Sequence, residues 1–334
     1  MGPVKNVFKI ALVATTAIFT AVGSLHAADV KWRMASKMPV DSPEGKVFSR
    51  FAELTDKYSG GELKVTVYPN EQLGKVDAVL EQLKQGTVHL YAEGSAFMRK
   101  WSPDINWISA AFLFDSREHW VRFMNSDLAK SWYAQAEEKA GIMMLGDPTK
   151  VLRGPYRVMV TKRDYKDFNG MQGVKLRMHA SKTAVATWTQ LGAEVKTLAW
   201  TDVYQSIDKG IVEAVNSPIA LVESMRFYEV APHVVRHDEY YQSIGFMMNK
   251  RAYNKLSDKQ RAALHKAYDE AGSYSFEIMI GSVDESINRM KAKGVTFMDI
   301  DRKPYIASMK EFYARMESEG KLPKGFLAAV AAAK

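Results

Sequence analysis

The side chains that could do chemistry in this sequence are carboxylates, imidazoles, guanidiniums and phenols; cysteine is absent. That removes thiolate nucleophiles, thiolate metal sites and disulfides together. No G-x-S-x-G offers a serine nucleophile, and no glycine-rich loop is built to cradle a phosphate. His233 and His237 stand four apart, a spacing that would put two imidazoles on one helical face and let them share a metal. Pro232 and the β-branched Val234-Val235 argue for extended chain there, and no H-E-x-x-H accompanies them, so neither a metal site nor a cofactor is expected. The basic pairs Lys162-Arg163 and Lys250-Arg251 are isolated and form no stripe that would track a nucleic acid. By composition alone, Arg177 at the end of an apolar stretch and Glu93 after another read as solvated charges. Nothing here assembles a catalytic set, and the chain is not expected to be an enzyme.

The positioning elements begin after a leader. Lys5 and Lys9 precede an apolar run from Ile10 to Val22, and small residues lead to Ala27-Ala28. A basic head, a short apolar core and a small-residue end read as a secretory signal peptide, residues 1–27, cleaved after Ala27. The apolar run is shorter than the roughly 20 residues a membrane-spanning helix needs. Without cysteine no lipid can be attached there, so the exported chain diffuses freely. A freely diffusing exported protein stays with its cell only where a second membrane confines it, which points to a Gram-negative periplasm. The 334 residues carry a formal charge of +8, which becomes +6 without Lys5 and Lys9. A positive surface can speed the arrival of anions or simply aid solubility.

The mature chain is long enough for two domains. Val30, Trp32 and Met34 alternate with Lys31 and Arg33 as a strand. Val47, Phe51, Leu54 and Tyr58 recur at helical spacing, stopped by Gly60-Gly61. Leu63 to Val67 alternates again, a helical stripe runs from Val76 to Leu83 and stops at Gly86, and Val88 to Tyr91 is a third strand. A second series starts near Val151, with strands at Arg157–Thr161, Lys175–Met178 and Ile211–Val215 and with helices capped by Ser181 and Thr201. Strands alternating with helices predict mostly parallel sheets covered on both faces. The fold class is therefore α/β, with two lobes and a cleft between them, 28–150 plus about 239–280 forming one and 151–238 plus about 281–334 the other. Ser257 and Gln260 form a capping box that opens a helix running to Gly294, roughly 35 residues if unbroken, with Gly281 as the place for a kink.

Five segments, in order, carry a resemblance: SGGELKVTVYPNEQLG (Ser59–Gly74), FLFDSREHW (Phe112–Trp120), GVKLR (Gly173–Arg177), WTDVYQSIDKGIVEAVNSP (Trp200–Pro218) and RFYEVAPHVV (Arg226–Val235). They stand in the expected order, and the resemblance they carry extends over essentially the whole mature chain. They resemble the solute-binding proteins of TRAP transporters, the tripartite ATP-independent periplasmic family. The resemblance implies a periplasmic-binding-protein-like fold with hinge strands and a long helix across both lobes. It implies capture of a small organic acid by lobe closure and delivery to a two-subunit membrane permease. The Ser59–Gly74 segment separates it from ABC-type binding proteins of similar architecture, whereas a binding protein that feeds a sensor kinase would look the same. A monomer is expected.

The same resemblance assigns the site. Arg177 is similar to the family arginine that clamps the ligand carboxylate, a role suited to the parallel N–H donors of guanidinium. Arg153 resembles a second family arginine on the inter-lobe crossing and is preferred over Arg157, which begins a strand and is expected to point outward. Glu93 either accepts hydrogen bonds from the ligand or holds a neighbouring arginine. Trp200 stands where the family places an aromatic ring against the ligand, with core packing as the alternative. The chain reads VEAVNSP where the family often reads VDGQENP, so Asn216 and Ser217 are both candidates, pointing in opposite directions along a strand. Tyr240 and Tyr241 are candidates from the hinge, Tyr241 being the one assigned. Some family members hold a cation beside the ligand.

Overall fold

The computed structural model describes Met1, Gly2 and residues 30–334; the leader and its cleavage point lie outside the described residues, apart from those first two. Strands follow in chain order as β1 (Val30–Ala35), β2 (Leu63–Tyr68), β3 (Leu90–Gly94), β4 (Ile142–Met144), β5 (Val151–Leu152) and β6 (Arg157–Thr161). Then come β7 (Lys175–Met178), β8 (Glu194–Thr197), β9 (Ala214–Pro218), β10 (His233–Arg236), β11 (Ser243–Asn249) and β12 (Thr296–Asp299). One sheet runs β2-β1-β3-β11-β4, with β5 also on β11; the other runs β12-β10-β6-β9-β7-β8. These are the two lobes.

The expectation of mostly parallel sheets is corrected: both are mixed. β11 runs antiparallel to β3, β4 and β5, and β6 runs antiparallel to β9 and β10. The reason is connectivity. β6 and β11 are the strands by which the chain enters one lobe from the other, so they run against their neighbours. The first-lobe sheet also keeps Val151–Leu152, at the point where the second series was expected to begin. Crossings occur at 153–156 and 237–242, which places Arg153 and Tyr240 at the cleft.

Local chemistry explains the helices. Ser42 caps Pro43–Ser59 by accepting from the Gly45 amide, and Gly60 ends it in the left-handed conformation that costs glycine little. Ser257 and Gln260 form the expected capping box. The long helix breaks where a kink was expected, after Gly281, into Asp258–Gly281 and Val283–Lys291. Ser282 donates its hydroxyl to the Ile278 carbonyl at 2.6 Å, a back-bond that bends helices, just after a glycine that packs against nothing. The first piece packs on Pro43–Ser59 in one lobe and the second on the short helix Ile219–Val222 in the other. The C-terminal helix Phe326–Ala332, placed with the second lobe from sequence, packs on Arg117–Met124 of the first, with Phe326 against Phe123 and Trp132.

Three smaller expectations also shift. The strand read at Ile211–Val215 is Ala214–Pro218, because the Ile211 and Val212 amides turn back to the Ser206 carbonyl. β3 begins two residues later than read, which puts Glu93 inside the strand. Thr201 caps no helix; its hydroxyl donates to Glu71 across the cleft at 2.6 Å.

Candidate ligand-binding site between the lobes

The C-terminal ends of the parallel strands face the cleft, where ligands sit in open α/β sheets. Lys37 follows β1, Glu93 lies at the end of β3, and Arg177, Met178 and His179 lie at the end of β7. Asn216 comes from β9, Trp200 from the loop before Val203–Asp208, and Arg153, Arg157, Tyr240 and Gln242 from the crossings and the start of β6. All of these line one cavity of about 50 Å³, and a neighbouring chamber of about 440 Å³ shares Lys37, Phe97, Arg99, Arg177, His179 and Trp200 with it.

The arginines differ in what holds them. Arg153 makes a bidentate pair with Glu44, at 2.8 and 3.0 Å, and also bonds Glu93, whose other oxygen meets the Lys37 ammonium at 2.7 Å. Glu93 is buried, which alone would raise its pKa, but Arg153 and Lys37 outweigh burial and hold it well below the usual carboxylate range. It therefore stays ionised and already committed, holding its neighbouring arginine.

The structure corrects the expectation for Arg157. It points into the cleft, donating to Asn216, to Glu239 at 3.0 Å and to Gln242 at 2.9 Å, with its guanidinium 4.3 Å from the Tyr240 ring centroid. Its place at the start of a strand marks no outside, because every residue of β6 is buried.

Arg177 is the exception among them. Only 5% of its surface is exposed, yet its recorded hydrogen bonds are to a main-chain carbonyl, that of Leu198, at 2.9 and 2.7 Å. It lies 5.3 Å from the centroid of Trp200. Burial lowers its pKa to about 10, which leaves it charged at neutral pH. Burying a charge without a counter-ion is expensive unless something supplies the opposite charge. Beside it, burial and then the charges of Arg99, Arg177, Lys37 and Arg157 push His179 well below its usual pKa, so this imidazole is neutral.

Asn216 and Ser217 point in opposite directions, as strand alternation requires. Asn216 lines the cavity, whereas the Ser217 hydroxyl turns away to the Pro218 carbonyl at 2.9 Å and is corrected out of the site. Tyr241 is likewise replaced by its neighbour. Tyr240 lines the cavity, while Tyr241 faces a separate crevice beside Arg117 and Gly154. Trp200 serves both weighed roles, packing edge-on to Phe227 at 5.0 Å and lining the cavity with its Nε1 unpartnered. His233 pairs with Thr296 and His237 with Tyr165, in different surroundings, and among the described residues no three His, Asp or Glu side chains gather as a metal site. Lys37, Phe97, Arg99, His179 and Gln242 were missed by sequence reasoning. The strand-end rule was the signal that could have found Lys37 and His179.

Residues 34–319 match the sequence model described as bacterial extracellular solute-binding protein, family 7. The chain belongs to that family. This solute-binding protein is 27% identical over 293 residues to the C4-dicarboxylate-binding periplasmic protein of Rhodobacter capsulatus, covering 86% of this chain and 85% of that one. It is 25% identical over 262 residues to a solute-binding protein of Roseobacter denitrificans, covering 78% and 79%. Its fold is similar to that of a TRAP periplasmic solute binding protein from Ochrobacterium anthropi, solved with bound L-fuconate. There the TM-score is 0.83 at 22% identity, over 92% of this chain and 99% of that one. The resemblance read from the five segments is thus upheld for family and fold.

Proposed function

We propose that this solute-binding protein captures a small organic anion through its carboxylate, between the two lobes, and delivers it to the membrane subunits of a TRAP permease. The observation that carries the reading is Arg177, a buried guanidinium with no carboxylate partner among the described residues. A ligand carboxylate supplies the missing charge and accepts its parallel N–H donors. Trp200 Nε1 and Asn216 Nδ2, both buried without partners, supply further donors. Arg153, Glu93, Glu44 and Lys37 form the fixed wall against which the ligand rests. No group here activates a nucleophile, and the role is binding rather than catalysis.

Capture proceeds by closure. Arg177 and Trp200 belong to the second lobe, Lys37 and Glu93 to the first. Four contacts bridge the mouth: Lys75 with Asp202 at 2.8 Å, Thr201 with Glu71, Arg99 with the Ala180 carbonyl at 2.7 Å, and Ser181 with Asn106 at 3.1 Å. A ligand that touches both walls favours the conformation in which these contacts exist. Residues 1–27 act as the export signal to the periplasm, and the mature monomer starts at Ala28.

Thermal unfolding of the mature protein against organic acids, sugar acids and neutral sugars tests this. A ligand at 100 times its Kd adds about 2.7 kcal/mol, enough to raise the midpoint by several degrees. Shifts confined to carboxylates are expected. A shift with a neutral sugar and none with any acid would sink the proposal.

A further inference from the structure

The wall built by Arg153 and Arg157 has a second side. Both residues line the ligand cavity and also a crevice of about 20 Å³ that Lys37, Arg177, His179 and Trp200 do not reach. This crevice lies at the hinge, between residues 154–156 of the first crossing and 240–242 of the second, with Arg117 beside them at the start of the helix Arg117–Met124. Three arginines line it and no carboxylate does. Arg153 and Arg157 are matched elsewhere, by Glu44, Glu93 and Glu239. Arg117 makes no ion pair among the described residues. It donates to the Thr149 carbonyl at 2.8 Å and stands 4.9 Å from the Phe276 ring centroid, and its Nε is buried without an acceptor. Burial lowers its pKa, and Glu118 and Asp147 pull the other way without pairing with it. A buried donor left unpaired, on a partly buried charge left unmatched, is costly unless something completes it.

The volume sets the size of the guest. A water needs about 10–15 Å³ on this measure, so the crevice admits one atom of that order and no organic acid. The main chain adds donors: the amides of Gly154, Tyr156 and Tyr241 donate to no acceptor among the described residues. Gly154 stands at φ 123°, and a Cβ there would lie 3.5 Å from the Cβ of Pro218, another residue of the crevice, so glycine keeps that side open. A water in this place must direct its own protons against guanidiniums, and it brings no charge. A halide accepts from every side and supplies the charge that Arg117 lacks. Because both crossings form the walls, the guest fits one hinge conformation, the closed one in which contacts bridge the mouth. A guest that binds one conformation favours it, so occupancy here and ligand capture strengthen one another.

We propose that the hinge crevice binds one monatomic anion of chloride's size, held by Arg117 together with Arg153 and Arg157. The test needs no organic ligand, so it is independent of which acid the cleft takes. The mature protein is titrated with sodium chloride against sodium methanesulfonate at constant ionic strength. Thermal unfolding and the line width of the chloride nuclear resonance are followed. Chloride at about ten times its Kd is expected to raise the midpoint by about 2 °C over methanesulfonate. The parent protein is expected to broaden the chloride resonance, and bromide to reverse the broadening by competition. Arg117→Gln is expected to lose both effects, and Arg117→Lys, which keeps the charge, to retain part of them. Equal midpoints in the two salts, or no broadening by the parent, would overturn the proposal without recourse to any variant. Undiminished broadening by folded Arg117→Gln would place the ion elsewhere and overturn it as well.

Discussion

Three of the four arginines that line this cleft, Arg153, Arg157 and Arg177, share a side chain and differ in consequence. Arg153 and Arg157 are matched by Glu44, Glu93 and Glu239, so they build the wall; Arg177 is unmatched, so it waits for a ligand. Glu93 is what keeps Arg153 and Lys37 together. Replacing it by Gln leaves two buried cations facing one another across an amide, and breaking a buried pair in this way is worth about 3–5 kcal/mol. Urea unfolding of Glu93→Gln is expected to show a loss on that scale; a midpoint equal to that of the parent would mean the network is not holding the wall. The contrast was only half legible in the sequence. Arg177 stands in a recognisable segment, but nothing in the local sequence says that Arg157 turns inward, because its direction depends on Glu239 and Gln242, more than 80 residues away.

Elements position these groups through backbone contacts that tolerate little. Gly45 sits in the first turn of Pro43–Ser59, next to Glu44, where an added Cβ would lie 2.1 Å from the Pro39 carbonyl oxygen and 2.5 Å from that of Val40. Those are main-chain atoms with little freedom to move. Gly45→Ala is expected to destabilise by at least the 1–3 kcal/mol typical of overpacking and to weaken ligand affinity, because Glu44 must shift under Arg153. Thermal unfolding and titration together check this, and a stable variant of unchanged affinity would contradict it. At this scale the sequence was informative where chemistry is local. Ser42, Gly60, Gly86 and the Ser257–Gln260 box mark real helix ends. It was informative too at Gly281, the expected place for a kink, where the long helix breaks, and uninformative where pairing decides, as in the antiparallel entry of β6 and β11.

For the whole molecule, closure and stability meet at the crossings. His237 opens the second crossing fully buried, bonded to Tyr165 at 2.8 Å between the rings of Trp188 and Tyr305. Burial lowers its pKa to about 3. The unfolded chain protonates this imidazole near 6.5 and the folded one does not, so the unfolded state binds the extra proton between those values and stability falls as pH drops through that window. At pH 5 the difference is about 2 kcal/mol from this group. The melting temperature is expected to fall from pH 7 to pH 5, and to fall less in His237→Gln; identical pH profiles for the two would contradict the assignment.

The central claim is that one carboxylate satisfies Arg177 between the lobes. Its most direct test is titration of the best-binding acid into the parent protein and into Arg177→Ala, with circular dichroism to show that the variant is folded. A loss of about 2–5 kcal/mol of binding free energy is expected, the scale for removing one partner of a buried charged pair. A folded Arg177→Ala protein that binds the acid with undiminished affinity would contradict the account.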